Sequence, residues 1–201
     1  MTKICIYGAG AIGGHIAGHM VRSGCEVSLV TRGPHLEAIQ KKGLRIIAGK
    51  DDFTVAVNAT NDPSELGKQD YIFITLKSHQ VPDNLLEITR LMGPKTVVLP
   101  PTTGIPWWYF HNLAGPYEGR QLPELDSDNR QWDAIGPDRV IGCAFWTAAE
   151  VIEPGVVRQD GLRASYPIGE PSGGATARLK LLADLMTEGG LHAPVQRDIR
   201  G

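Results

Sequence analysis

The chain has 201 residues, room for one large domain or one and a fraction, and at 42% hydrophobic content it can bury a sizeable core. Twenty basic residues against twenty-two acidic ones leave a formal charge of −2, with no basic stripe for nucleic acid and no polybasic cluster for a membrane surface. The apolar runs are strand-sized, far short of the roughly 20 residues that cross a bilayer, and Met1-Thr2-Lys3 leads into a strand without a signal-peptide pattern, so a soluble cytoplasmic protein is expected.

Residues 3–7 read as an apolar strand that breaks on three glycines spaced G-x-G-x-x-G, and residues 15–22 read as a helix that stops at Ser23-Gly24. Each glycine has its own task. Gly8 permits the sharp turn, Gly10 lets a backbone approach a pyrophosphate, and Gly13 lets the helix pack close to the strand. The helix then offers unpaired N–H groups and the positive end of its dipole to an anion. A second strand over residues 25–30 ends in Thr31-Arg32-Gly33-Pro34. An NAD site usually places Asp or Glu about 20 residues past the glycines, where it accepts from the ribose 2′-OH. Here the strand end offers Thr31 and Arg32 and no acid, so NADP(H) is expected over NAD(H), with Arg32 forking onto the 2′-phosphate.

Residues 35–42 form a short helix closed by Gly43, and residues 44–48 and 53–57 read as a hairpin expected to extend the sheet's edge. Asp62-Pro63-Ser64-Glu65 looks like a helix start. Residues 71–76 are almost wholly apolar, as in a parallel strand buried on both faces. The following Lys77 stands at the rim where doubly wound sheets bind ligands, placed to meet a phosphate or a substrate carboxylate; His79 reads as a cap or loop residue. A helix over 81–92 and a fifth parallel strand over 96–99 complete the pattern.

That strand opens into Thr102-Thr103-Gly104-Ile105-Pro106, with Pro106 expected to open a helix at the same rim. The four aromatics Trp107 to Phe110 are read either as core packing or as a wall beside a nicotinamide or substrate. Residues 115–138, rich in Pro, Gly, Asp and Asn, are expected to have little regular structure. Beyond them come a strand over 140–149, an antiparallel meander over 151–168, an amphipathic helix over 175–187 and an edge strand at 193–195. Cys5, Cys25 and Cys143 lie singly in apolar runs and read as reduced core residues. His15 and His19 share a helix face without the glutamate of H-E-x-x-H, so no metal site is expected.

Taken together, Gly8-Ala9-Gly10-Ala11-Ile12-Gly13-Gly14, Val30-Thr31-Arg32-Gly33, Ile74-Thr75-Leu76-Lys77, Gly104-Ile105-Pro106-Trp107-Trp108-Tyr109-Phe110 and Glu153-Pro154-Gly155-Val156-Val157 run in the order of the ketopantoate reductase (2-dehydropantoate 2-reductase) family. The chain resembles that family's N-terminal domain. The resemblance implies an α/β fold, a Rossmann-like doubly wound, mainly parallel sheet with additional antiparallel strands over residues 1–197. Residues 198–201 would start the link to the family's C-terminal helical domain, which is absent from this chain. It implies NADPH-dependent reduction of a 2-keto acid, ketopantoate to pantoate, on the route to pantothenate and coenzyme A. Gly8, Ala9, Gly10, Ala11, Ile12 and Gly13 become the pyrophosphate loop, Arg32 the 2′-phosphate ligand, and Lys77 and Thr103 contacts on the cofactor or substrate side.

Two departures bear on function. The family carries Asn where this chain has Thr103, and a hydroxyl is shorter than a carboxamide and offers one group where Asn offers two. The lysine that acts as general acid in the family is expected beyond Gly201, so no catalytic residue is assigned within the chain and the chain alone is expected to be inactive or very weak. Two alternatives stay open: a non-catalytic NADP(H)-binding or sensing module, and a reductase of a different 2-keto acid. A missing helical domain would also leave apolar surface bare, which suits a homodimer.

Overall fold

In the computed structural model, which describes residues 1–200 apart from the side chains of residues 162 and 163, the apolar runs assemble first into a parallel sheet. Its strands are β1 (Lys3–Tyr7), β2 (Glu26–Val30), β5 (Asn58–Thr60), β6 (Gln69–Ile74) and β7 (Met92–Leu99), in the spatial order β5-β2-β1-β6-β7. The chain runs outward from β1 to β2 and β5, then returns to place β6 and β7 on β1's other side. The strand order therefore switches at the carboxyl ends of β1 and β6, where open α/β sheets bind ligands. Along β1 the side chains alternate, Ile4 and Ile6 into the core on one face, Cys5 and Tyr7 into the core on the other.

Helix α1 (Ala11–Arg22) covers the first face, and its small residues explain how closely it sits. A Cβ at Gly14 would lie 2.7 Å from Val157 Cγ2, and one at Gly18 2.4 Å from Ile46 Cγ1. Those partners belong to a second sheet on the far side of α1, ordered β4-β3-β10-β9, made of β3 (Leu44–Ala48), β4 (Asp51–Val55), β9 (Trp146–Glu153) and β10 (Val156–Ser165). β3 pairs parallel with β10, while β3–β4 and β9–β10 are antiparallel. Helix α2 (Gly33–Lys42) follows β2, and α5 (Ala177–Glu188), capped by the Thr176 hydroxyl, adds Leu179, Leu182 and Met186 to the same core. The opposite face of the parallel sheet is covered by α3 (Val81–Arg90), α4 (Arg130–Ile135) and the buried rings of Trp107 and Trp108. A short pair, β8 (Gly142–Cys143) with β11 (Ile168–Gly169), completes the strands. Helices on both faces of a parallel sheet make the fold the doubly wound α/β class, with added antiparallel strands.

Several local expectations are corrected. The 44–57 hairpin does not extend the edge of the parallel sheet: Leu44 and Ile46 are buried in the core that contains α1, and β3 pairs with β10. The edge strands of the parallel sheet are β5, three residues long, and β7. Pro106 opens no helix, because the segment proceeds by i to i+3 turns, with Tyr109 N–H donating to Pro106 O and His111 N–H to Trp108 O. Within 115–138 the second half is ordered into α4, between 3₁₀ turns at Ser127–Asn129 and Pro137–Arg139. The expected 140–149 strand divides into β8 and β9, and the meander reduces to the β9–β10 hairpin with β11 returning to β8. Residues 193–195 contribute one isolated bridge, Val195 to Ile168, in place of a strand. Cys5, Cys25 and Cys143 are free and buried, and desolvation pushes the Cys5 and Cys143 thiols up to about 12. Among the described residues no helix is long and apolar enough to cross a membrane.

Candidate functional site

At the switch point the carboxyl ends of β1, β2 and β6 open into a cleft of about 840 Å³ lined by Gly8, Ala9, Gly10, Arg32, His35 and Lys77, among others. The three motif glycines part company in geometry. Gly8 has φ +113, a backbone that side chains rarely adopt, and its N–H donates to Val30 O at 3.0 Å. Gly13 has no room: a Cβ there would lie 2.0 Å from Gly8 O and 2.4 Å from Thr75 Oγ1. Gly10, with φ −68, is needed for neither reason, because a Cβ on it would meet nothing within 4 Å. The space beside Gly10 is on the cleft side, where a ligand backbone can come close.

Gly10 is also the N-cap of α1, and it supplies no side-chain cap; the first turn carries no acidic residue. The N–H groups that open the helix, from Ala11, Ile12 and Gly13, therefore present an uncompensated positive end at the cleft. Thr75, one residue past β6, braces the loop by donating its hydroxyl to Gly8 O at 2.5 Å. Arg32 stands exposed at the N-cap of α2, just past β2, and joins none of the ion pairs of the described residues. Lys77, exposed, begins the 3₁₀ turn Ser78–Gln80, and its N–H donates to Gln80 Oε1 at 3.2 Å. Uncapped helix, guanidinium and ammonium thus share one cleft, an arrangement suited to a polyanion.

Thr103 is not part of it. It lines a second cavity of about 570 Å³ at the end of β7, between Gly104, Trp108, Tyr109, Cys143, Trp146 and Arg200. Because β7 lies beside β6, the two cavities open at neighbouring strand ends of one rim. The aromatic segment divides between its two readings. Trp107 is buried against Trp132, with ring centroids 6.1 Å apart, whereas Trp108 is buried and also walls the second cavity with Tyr109. Arg200 closes that cavity from the other side, its buried guanidinium donating to Tyr109 O and Pro171 O at 2.6 Å each and to His111 O.

Sequence reasoning missed His35 and Thr75 as parts of the site. Thr75 was legible as the one polar residue of an apolar strand, but His35 had no local signal. His15 and His19 are spent on packing: His15 Nδ1 lies 2.7 Å from Tyr166 Oη and His19 Nδ1–H donates to Gly189 O at 2.8 Å. Among the described residues no group of three or more His, Cys, Asp or Glu is placed to hold a metal.

Known proteins resemble this chain in sequence and fold. The family model described as Ketopantoate reductase PanE/ApbA matches residues 4–105, just over half of the chain. A 2-dehydropantoate 2-reductase of Mesorhizobium japonicum is 46% identical over 200 residues, which are 98% of this chain and 61% of that protein. The crystal structure of a candidate ketopantoate reductase from Ralstonia solanacearum MolK2 superposes with a TM-score of 0.92 at 34% identity, covering 100% of this chain and 62% of the other. A D-mandelate dehydrogenase solved with NADH and anilino(oxo)acetate shares the fold, with a TM-score of 0.76 at 24% identity over 98% of this chain and 58% of that one. The chain spans about three fifths of the length of the relatives it matches.

Proposed function

The chain belongs to the ketopantoate reductase family, and on that premise we propose that it supplies the NADPH-binding part of a cytoplasmic enzyme that reduces 2-dehydropantoate to pantoate. The observation that carries the cofactor half is Arg32, an exposed guanidinium at the end of β2 with no carboxylate paired to it, in the same cleft as the uncapped start of α1. The fold alone does not choose the nucleotide, since a D-mandelate dehydrogenase of the same fold was solved with NADH. Arg32 and the absence of an acid at the strand end favour a 2′-phosphate.

The residues present fit such a ligand. The open space at Gly10 and the N–H groups of Ala11, Ile12 and Gly13 would receive the diphosphate, Arg32 the 2′-phosphate, and Lys77 a phosphate or the substrate carboxylate. NADPH, when bound, supplies the hydride. The chain's own share is binding and orientation, with Lys77 and the Thr103 hydroxyl on the substrate side of the rim. Reduction of a ketone leaves negative charge on oxygen that needs a proton donor, a role to which none of the cleft residues named here is assigned. Thr103, in place of the family's Asn, favours a second reading in which the substrate is another 2-keto acid.

Titrating the chain with NADPH and NADH by nucleotide fluorescence tests the cofactor half. NADPH is expected to bind at least roughly tenfold tighter, and Arg32→Ala should cost NADPH roughly tenfold or more while changing NADH by less than about twofold. Equal affinities, or equal losses on substitution, overturn the assignment.

A further inference from the structure

Tyr7, the last residue of β1, holds the segment that carries Lys77 at both of its ends. Its carbonyl accepts from the Thr75 N–H at 3.0 Å, just where the chain leaves β6. Its hydroxyl donates to Asn84 Oδ1, in the first turn of α3, at 3.3 Å. Between these two ties stand Lys77 and the 3₁₀ turn Ser78–Gln80. Burial above all pushes the Tyr7 phenol up to about 12, so its proton stays in place to donate.

The partners fix which way each amide faces. The second contact of Asn84 is the Gln80 carbonyl at 2.8 Å, which can only accept, so the atom facing it is Nδ2 and the atom facing Tyr7 is the oxygen. Gln80 N–H donates to Lys77 O at 2.8 Å, and Lys77 N–H donates to Gln80 Oε1 at 3.2 Å, so residues 77 and 80 close on each other through backbone and side chain. A continuous path of hydrogen bonds thus runs from the Tyr7 hydroxyl through Asn84 and Gln80 to the Lys77 backbone. All four residues line the first cleft, yet Lys77 is exposed and its ammonium joins none of the ion pairs of the described residues. The backbone beneath Lys77 is tied down while its charge is left unspent. A loop ordered in advance has already lost the freedom that a ligand would otherwise have to remove.

Building on the dinucleotide reading above, we propose that Asn84 is a positioning residue for Lys77. It ties the Ser78–Gln80 turn to the end of β1 before the nucleotide arrives, so that the Lys77 ammonium meets a phosphate of the dinucleotide without the loop having to be ordered first. Asn84 acts on the nucleotide through the turn and Lys77 alone, and Tyr7 is its anchor in the sheet. Two residues 77 positions apart then have a role at the cofactor site without touching cofactor.

A double-substitution cycle with NADPH as the probe separates positioning from direct contact. Asn84→Leu removes both side-chain hydrogen bonds at similar volume and keeps a good helix former in α3. It should weaken NADPH binding roughly fivefold, and Lys77→Ala roughly tenfold. In a chain that already carries Lys77→Ala, Asn84→Leu should cost less than about 1.5-fold, because the group it positions is gone. Tyr7→Phe deletes one oxygen from a buried ring and should cost roughly twofold, again only while Lys77 is present; it carries the test if Asn84→Leu lowers the thermal midpoint by more than a few degrees. A loss that persists undiminished beside Lys77→Ala overturns the proposal, since Asn84 would then touch the nucleotide itself or act through the fold at large. Unchanged affinity on Asn84→Leu, or on Lys77→Ala, overturns it too and leaves the dinucleotide reading standing. If the unsubstituted chain binds no NADPH, the dinucleotide reading fails and this proposal fails with it.

Discussion

At the scale of single residues, the glycines of the first turn separate binding from stability. A methyl group at Gly13 would press against Gly8 O at 2.0 Å, backbone that cannot swing aside, so Gly13→Ala should lose about 3 kcal/mol in urea unfolding. A methyl group at Gly10 meets nothing within 4 Å at an ordinary φ, so Gly10→Ala should unfold within about 0.5 kcal/mol of the original chain. It should nonetheless weaken NADPH binding severalfold, because the methyl group stands where the diphosphate approaches; unchanged affinity would remove Gly10 from the site. These roles were legible because motif, strand and helix are contiguous in sequence. His35 was not, since the group that orients its ring, Gly155, lies 120 positions away. Thr103 was placed with Lys77 by the family resemblance, and the two line different cavities.

At the scale of elements, α1 differs from an ordinary surface helix in being buried from Gly13 to Met20, with a sheet on either side. It carries two histidines into that interior. Burial, with the neighbouring His19, lowers the His15 pKa from 6.5 to about 3, and burial lowers His19 as well. Between pH 6.5 and about 3 the unfolded chain binds a proton at His15 that the folded chain refuses, so the contribution is complete above pH 6.5 and is lost as pH falls through that window. Going from pH 7 to pH 5, His15 alone should account for roughly 2 kcal/mol of lost stability. His15→Gln keeps a partner for Tyr166 and should flatten the urea-midpoint profile over that range; a parallel profile would show that His15 titrates normally. Among elements, the apolar strand runs of β1, β2 and β6 and the ten- to twelve-residue helices α1 and α3, bounded by glycine and proline, were readable in the sequence. β5 is three residues long and α4 six, too short for a period to show, and the pairing of β3 with β10 joins segments that no local pattern connects.

At the scale of the molecule, the two-sided packing of the parallel sheet is what resemblance and periodicity both expected, and the second sheet packed behind α1 is what neither placed. Large apolar side chains stand exposed around the second cavity. Ile105 is 61% exposed and Trp146 71% exposed, and both line that cavity beside Trp108 and Tyr109. Large apolar side chains gathered at a concave site are poorly accommodated by water, and in a concentrated solution another copy of the chain is the nearest apolar partner. The chain on its own should therefore bind a hydrophobic dye and self-associate at micromolar concentration, with light scattering showing dimers or larger species. Replacing both residues, Ile105→Lys with Trp146→Lys, places two like charges in the patch and removes an exposed indole. The dissociation constant for self-association should then rise roughly tenfold or more, with the thermal midpoint little changed because neither side chain is buried. A chain that scatters as a monomer at all concentrations and ignores the dye would show that this surface is satisfied by solvent alone.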